Sequence, residues 1–139
     1  MAVHHRRAGG TKWLINVEAG VLSCNAWATK PRTLHFLRRL LVEIWAHESP
    51  AGKSMPELVF GKGMWYRDGF VSFCEGHSKI ELARGQRNAM ILMHEITHAL
   101  GYVWHNDGFI RRYLGLLRRY GKYDAGVIAE LAAARGISI

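Results

Sequence analysis

Apolar residues at Leu34, Leu37, Leu41 and Ile44 recur three and four positions apart, with Arg38 and Arg39 turned the other way. This predicts a long amphipathic helix that starts after Pro31 and is ended by Ser49-Pro50. The same period returns in FIRRYLGLLRRY: Ile110, Tyr113, Leu114 and Leu117 form one stripe, and the pairs Arg111-Arg112 and Arg118-Arg119 lie seven residues apart on another. A further helix is expected from about Arg87 to Leu100, closed by Gly101, since glycine tolerates the left-handed conformation that ends helices. A last helix is capped by Asp124, runs through Leu131 and stops at Gly136.

A period of two predicts the strands. In HSKIELA, Ile80 and Leu82 alternate with Lys79 and Glu81, a pattern for a strand with one wet face, placed here at a sheet edge. ELVFGKG and MWYRDGFVSFC carry aromatic and β-branched residues around Asp68-Gly69, a strong hairpin signal. TKWLINVEAG and VLSCNAWA read the same way, as two strands broken at Ala19-Gly20. SPAGKSMP, residues 49–56, is loop chemistry. The expected architecture is α+β: a small, mainly antiparallel sheet packed on the helix from Arg87 and two or three further helices.

At 139 residues with 49% apolar content, the chain has the size of one domain, expected over residues 11–139 behind a flexible basic stretch, residues 1–10. No apolar run approaches the length of a membrane span or a signal peptide, so the expected location is cytoplasmic and no membrane partner is expected. The two cysteines, Cys24 and Cys74, are expected as reduced thiols. A net charge of +8 favours a polyanionic partner such as DNA or RNA, with Arg111, Arg112, Arg118 and Arg119 as the candidate contacts and Arg38 and Arg39 as an extension.

The chemistry is concentrated in MHEITHALGYVWH, residues 93–105, which holds three of the eight histidines. On a helix, His94 and His98 are rotated by about 40° and separated by about 6 Å, so both imidazoles reach one ion. Glu95 stands about 100° round the helix, where its carboxylate can take a proton from an activated water instead of ligating. A catalytic zinc site needs a third protein ligand. His105 is the first choice, because the turn allowed by Gly101 can bring it back; Asp107, Glu75 and His77 are the alternatives. Tyr102 is read as a packing residue rather than an oxyanion donor.

The run ILMHEITHALG, preceded by KIELA and followed by HNDGF, resembles the core of the SprT-like and WLM metallopeptidases, small zincins in which HExxH is followed by a third His with Phe four residues later. The matching positions are His94, Glu95, His98, His105 and Phe109, within a resemblance that covers roughly residues 78–120. It implies a zinc-dependent peptidase with Glu95 as general base and His94, His98 and His105 as ligands, acting on a protein or peptide, including proteins bound to nucleic acid. The metzincin pattern HExxHxxGxxH is not met, because Trp104 stands three residues after Gly101 and the histidine falls one later. HEITHALGYVWH is also similar to the HxxxHxxGYxH of YbeY-type endoribonucleases, with the last histidine displaced by one and Glu95 in place of their glycine. A non-catalytic nucleic-acid-binding module with a structural zinc is the third reading.

Overall fold

A computed structural model of the chain describes residues 2–139, with side chains from Gly10 onward. The basic stretch expected at residues 1–10 falls almost wholly outside the described side chains. The chain forms α1 (Ala2–Ala19), a 3-10 turn (Val21–Cys24), α2 (Ala26–Thr29) and α3 (Leu34–Glu48). Five strands follow, β1 (Glu57–Phe60), β2 (Met64–Tyr66), β3 (Gly69–Val71), β4 (Phe73–Glu75) and β5 (Lys79–Leu82), and then α4 (Ala89–Ala99), α5 (Asp107–Tyr120) and α6 (Ala125–Arg135). This is the α+β arrangement expected, with two of the three strand pairings antiparallel.

α4 is the hub. Ala89, Met90, Leu92, Met93, Ile96, Thr97 and Ala99 are all buried, and the helix packs against α2, α3, α5, β4 and β5. A helix apolar on every side belongs inside the molecule, so its few polar side chains must find partners there. Asn88 starts it by accepting the Ile91 amide, and Gly101 ends it at φ 117°. One buried cluster extends from Leu14 to Ile137 and takes in Leu37, Leu41 and Ile44 of α3 and Ile110, Tyr113, Leu114 and Leu117 of α5, the stripes predicted from periodicity. Asp124 and Gly136 (φ 76°) bound α6.

Three expectations are corrected. TKWLINVEAG is helical, within α1, and VLSCNAWA is a 3-10 turn and a short helix. The aromatic and β-branched residues that suggested strands also place Leu14 and Val17 three apart, on the face of α1 that meets the core, and tertiary packing overrides local preference. β5 is the middle strand of its sheet, not an edge: it pairs in parallel with β1, Leu58 opposite Ile80, and antiparallel with β4, Cys74 opposite Ile80. Its alternation is as read, with Ile80 and Leu82 buried, but local pattern cannot show a parallel partner some twenty residues upstream. In the hairpin, Tyr66 pairs with Gly69, so the turn is Arg67-Asp68, and the positive φ (56°) falls on Arg67. The cross-strand contact of Trp65 with Phe70, edge to face at 5.1 Å, accompanies that register.

Candidate metal centre

His94 and His98 project from one side of α4. Gly101 releases the chain from the helix, and Asn106, accepting the Phe109 amide, starts α5 only five residues later. The short connection carries His105 back over the end of α4. One ring nitrogen from each of His94, His98 and His105 lies within 4.8 Å of the others. His105 Nε2 is 3.1 Å from Nε2 of both His94 and His98. The three histidines are therefore close enough to bind a metal ion, and among the described residues the group closes at three.

Each imidazole is held from behind. Nδ1 of His94 donates to Glu18 Oε2 at 2.8 Å, Nδ1 of His98 donates to the Tyr102 carbonyl at 2.8 Å, and Nδ1 of His105 lies 2.8 Å from Thr11 Oγ1. A carboxylate and a carbonyl can only accept, which fixes the proton of His94 and His98 on Nδ1 and leaves Nε2 as the ligating lone pair when the ring is neutral. Nε2 of His105 lies 3.1 Å from each of these two nitrogens; a single proton on it could bridge to only one of them, whereas a cation between the rings meets all three. In a tetrahedral site with bonds of about 2.1 Å, the ligand nitrogens stand about 3.4 Å apart, so the donor set fits such an ion.

The Phe109 ring forms the floor, with its centroid 5.0, 4.7 and 4.9 Å from those of His94, His98 and His105. Tyr113, one turn further along α5, donates to Glu18 Oε2 at 2.7 Å and so orients the carboxylate that orients His94. Burial opposes ionisation of Glu18, but His94 and the hydrogen bonds from His94 and Tyr113 outweigh it and hold its pKa below the ordinary value. His94 is in turn lifted above its ordinary value: burial disfavours the charged ring, and the Glu18 carboxylate outweighs burial. Burial, helped by the charge on His94, pushes His98 down to about 4. Glu95 is buried and outside the histidine group. Burial pushes its carboxyl up to about 7, with His94 pulling the other way and Glu18 adding to the rise. The Cys74 thiol of β4 is pushed up to about 12 by burial first and by the Glu95 charge second.

The alternatives for the third position are engaged elsewhere. His77 Nδ1 donates to the Ala99 carbonyl at 2.9 Å, Asp107 pairs with Arg135 at 3.3 Å, and Glu75 lies 4.0 Å from Lys79. Tyr102 packs against the core, as expected. Thr11, Glu18 and Tyr113 were not anticipated as site residues. Reading α1 as a helix would have placed Thr11, Leu14 and Glu18 on one face, at spacings of three and four.

The four arginines of α5 do not make one free stripe. Arg112 and Arg119 both bind the Glu48 carboxylate at the end of α3, at 3.3 and 2.7 Å, and Arg112 also donates to the Glu48 carbonyl. Arg111 donates to the Ser138 carbonyl, which leaves Arg118 alone of the four without an ion pair or hydrogen bond among the described residues. Arg38 donates to the Leu58 carbonyl. Among the described residues no helix is long and apolar enough to cross a membrane. Compared with known proteins, the chain matches no family model, no curated protein and no solved structure.

Proposed function

We propose that the protein is a zinc-dependent peptidase of the small zincin kind, with His94, His98 and His105 as ligands and Glu95 as general base. The observation that carries this reading is the convergence of three Nε2 atoms whose Nδ1 partners all lie on the outer side, next to a buried carboxylate on the same helix. Three donors with no fourth His, Cys, Asp or Glu among the described residues leave a coordination position for substrate, which favours a catalytic over a structural site. When bound, zinc supplies Lewis acidity to a carbonyl oxygen and to water.

The remaining steps belong to the protein. Burial raises the Glu95 carboxyl above its ordinary value, which makes it a stronger proton acceptor than an exposed carboxylate when ionised and still lets it give the proton back. It takes a proton from the water whose oxygen adds to the scissile carbonyl carbon, then passes that proton to the departing amine nitrogen as the C–N bond breaks. The outer edge of β4 has no strand partner among the described residues, and β4 packs on α4, the helix that carries Glu95. An extended peptide can add there as a further strand, in place of the β5 edge expected from sequence.

The test is hydrolysis of an unfolded protein such as casein by the zinc-loaded chain. Glu95→Gln should retain zinc and fold and lose at least about a hundredfold in turnover, the usual contribution of a general base. Loss of zinc in that variant would make Glu95 a ligand and overturn the mechanism; cleavage of RNA in place of protein would move the chain to the nuclease reading.

A further inference from the structure

The β2–β3 hairpin carries partly exposed aromatic side chains. Trp65 is 61% exposed and Phe70 40%, although each is large enough that burial would be strongly favourable. They are directly opposite one another, so both rings lie on one face of the hairpin. Beside Phe70 is a concavity of about 500 Å³, walled by Lys62, Arg84 and Arg87 and by Gly61, with no carboxylate in its lining. Lys62 Nζ sits 4.5 Å from the Phe70 centroid. Glu81 of β5 accepts the Gly63 amide at 2.8 Å and lies 3.8 Å from Lys79, so its charge is met locally. Arg87 is fixed in place by bonds to the Gly61 and Leu82 carbonyls.

From this juxtaposition of an exposed Trp65 ring, a half-exposed Phe70 ring and three cations we infer that the hairpin face binds single-stranded nucleic acid. The rings offer stacking surfaces that accept any unpaired base, while Lys62, Arg84 and Arg87 neutralise the phosphates that join those bases. A duplex keeps its bases stacked on each other and can use only the cations. An anionic membrane also attracts cations and aromatics, but the tip of this hairpin is Arg67-Asp68, and a charged turn carrying a carboxylate opposes entry into a bilayer. An acidic peptide would satisfy the cations and leave Trp65 and Phe70 uncovered. The inference does not depend on the metal centre or on peptidase activity.

The experiment is fluorescence anisotropy of labelled 20-nucleotide single-stranded DNA and RNA and of a 20-base-pair duplex, titrated with the full chain across a salt series. Flotation with phosphatidylserine-containing vesicles runs alongside. Single strands should bind more tightly than the duplex. Trp65→Ala/Phe70→Ala, which leaves every charge in place, should weaken single-strand binding by at least about tenfold while leaving duplex binding nearly unchanged. Lys62→Gln/Arg84→Gln should flatten the log–log salt dependence by about 1.4, and the charge-matched control Arg111→Gln/Arg118→Gln should not. Retained zinc content and melting temperature establish that each variant is folded. Absence of binding at low salt, equal losses in the control, indifference to removal of the two rings, or binding to vesicles in preference to oligonucleotides would each overturn the inference.

Discussion

Gly10 shows how finely the histidine group depends on one residue. A Cβ at Gly10 would overlap the His105 carbonyl oxygen, so only glycine lets α1 lie against the loop that carries the third histidine. Gly10→Ala is expected to cost about 1–3 kcal/mol, as overpacked sites do, and to weaken zinc binding as well, because α1 must retreat and carry Thr11 and Glu18 with it. Chemical denaturation and a chelator competition measure the two effects, and a loss of stability with unchanged affinity would separate α1 from the site. Glu18→Gln keeps the hydrogen-bonding shape and removes only the charge behind His94. Its zinc affinity should fall by about tenfold, the lower end of what losing a carboxylate behind a ligating histidine costs. These residues were hidden in the sequence for a physical reason: Glu18 becomes a partner of His94 only through a tertiary contact across 76 positions, whereas HExxH is local and visible as a spacing.

Among elements, legibility followed periodicity. α3 and α5 have apolar stripes at helical spacing, and Leu37, Leu41, Ile44, Ile110, Tyr113, Leu114 and Leu117 of those stripes are buried, with Leu40, Trp45, Phe109 and Leu116 added by packing that the spacing does not name. α1 mixes glycines, β-branched residues and aromatics, and its helical state rests on packing of Leu14 and Val17 more than on local preference. The parallel β1–β5 pairing and the position of β4 at the edge depend on chain order in space, which alternation alone cannot encode. The arginine pairs of α5 carried a different lesson, since heptad spacing marks a shared face but not what that face meets. Here it meets Glu48, whose side chain is 9% exposed and whose carboxylate also accepts the Tyr120 hydroxyl at 2.7 Å.

Burial raises the pKa of Glu48, and Tyr120 with Arg119 and Arg112 lowers it further than burial raises it, so the net shift is downward. A carboxyl depressed on folding contributes stability above its unfolded value, and that contribution is lost as pH falls through the folded value. Glu48→Gln should therefore cost about 1–2 kcal/mol at pH 7, discounted for the partly exposed arginines, and the gap to the parent should close below about pH 4. Urea melts of both chains at pH 7 and pH 3.5 read this directly; a gap that is independent of pH would mean that the carboxylate charge contributes nothing.

At the scale of the whole molecule, the histidine group joins the two ends of the fold. α1 supplies Thr11 and Glu18, α4 supplies His94, Glu95 and His98, and α5 supplies Phe109 and Tyr113, so a metal there ties the amino-terminal helix to the central one. Ligand binding stabilises only the folded state, by about 2.7 kcal/mol when the free ligand is a hundredfold above its dissociation constant. Removing zinc with a chelator should lower the melting temperature and selectively increase amide exchange in residues 11–19 and 102–106. The α3 core around Leu37, Leu41 and Ile44 should remain protected. Uniform loss of protection would mean that the metal holds the whole fold, and no change would mean that α1 is fixed without it.

In the proposed site, three imidazoles present Nε2 to one zinc ion with a position left for substrate. X-ray absorption at the zinc edge of the purified, zinc-loaded chain tests it most directly. The expected result is about one zinc per chain, three histidine nitrogens at about 2.0–2.1 Å with the outer-shell pattern of imidazole, and at least one further light-atom neighbour. A sulfur neighbour at about 2.3 Å, fewer than three imidazoles, or a chain that takes up no zinc would contradict it.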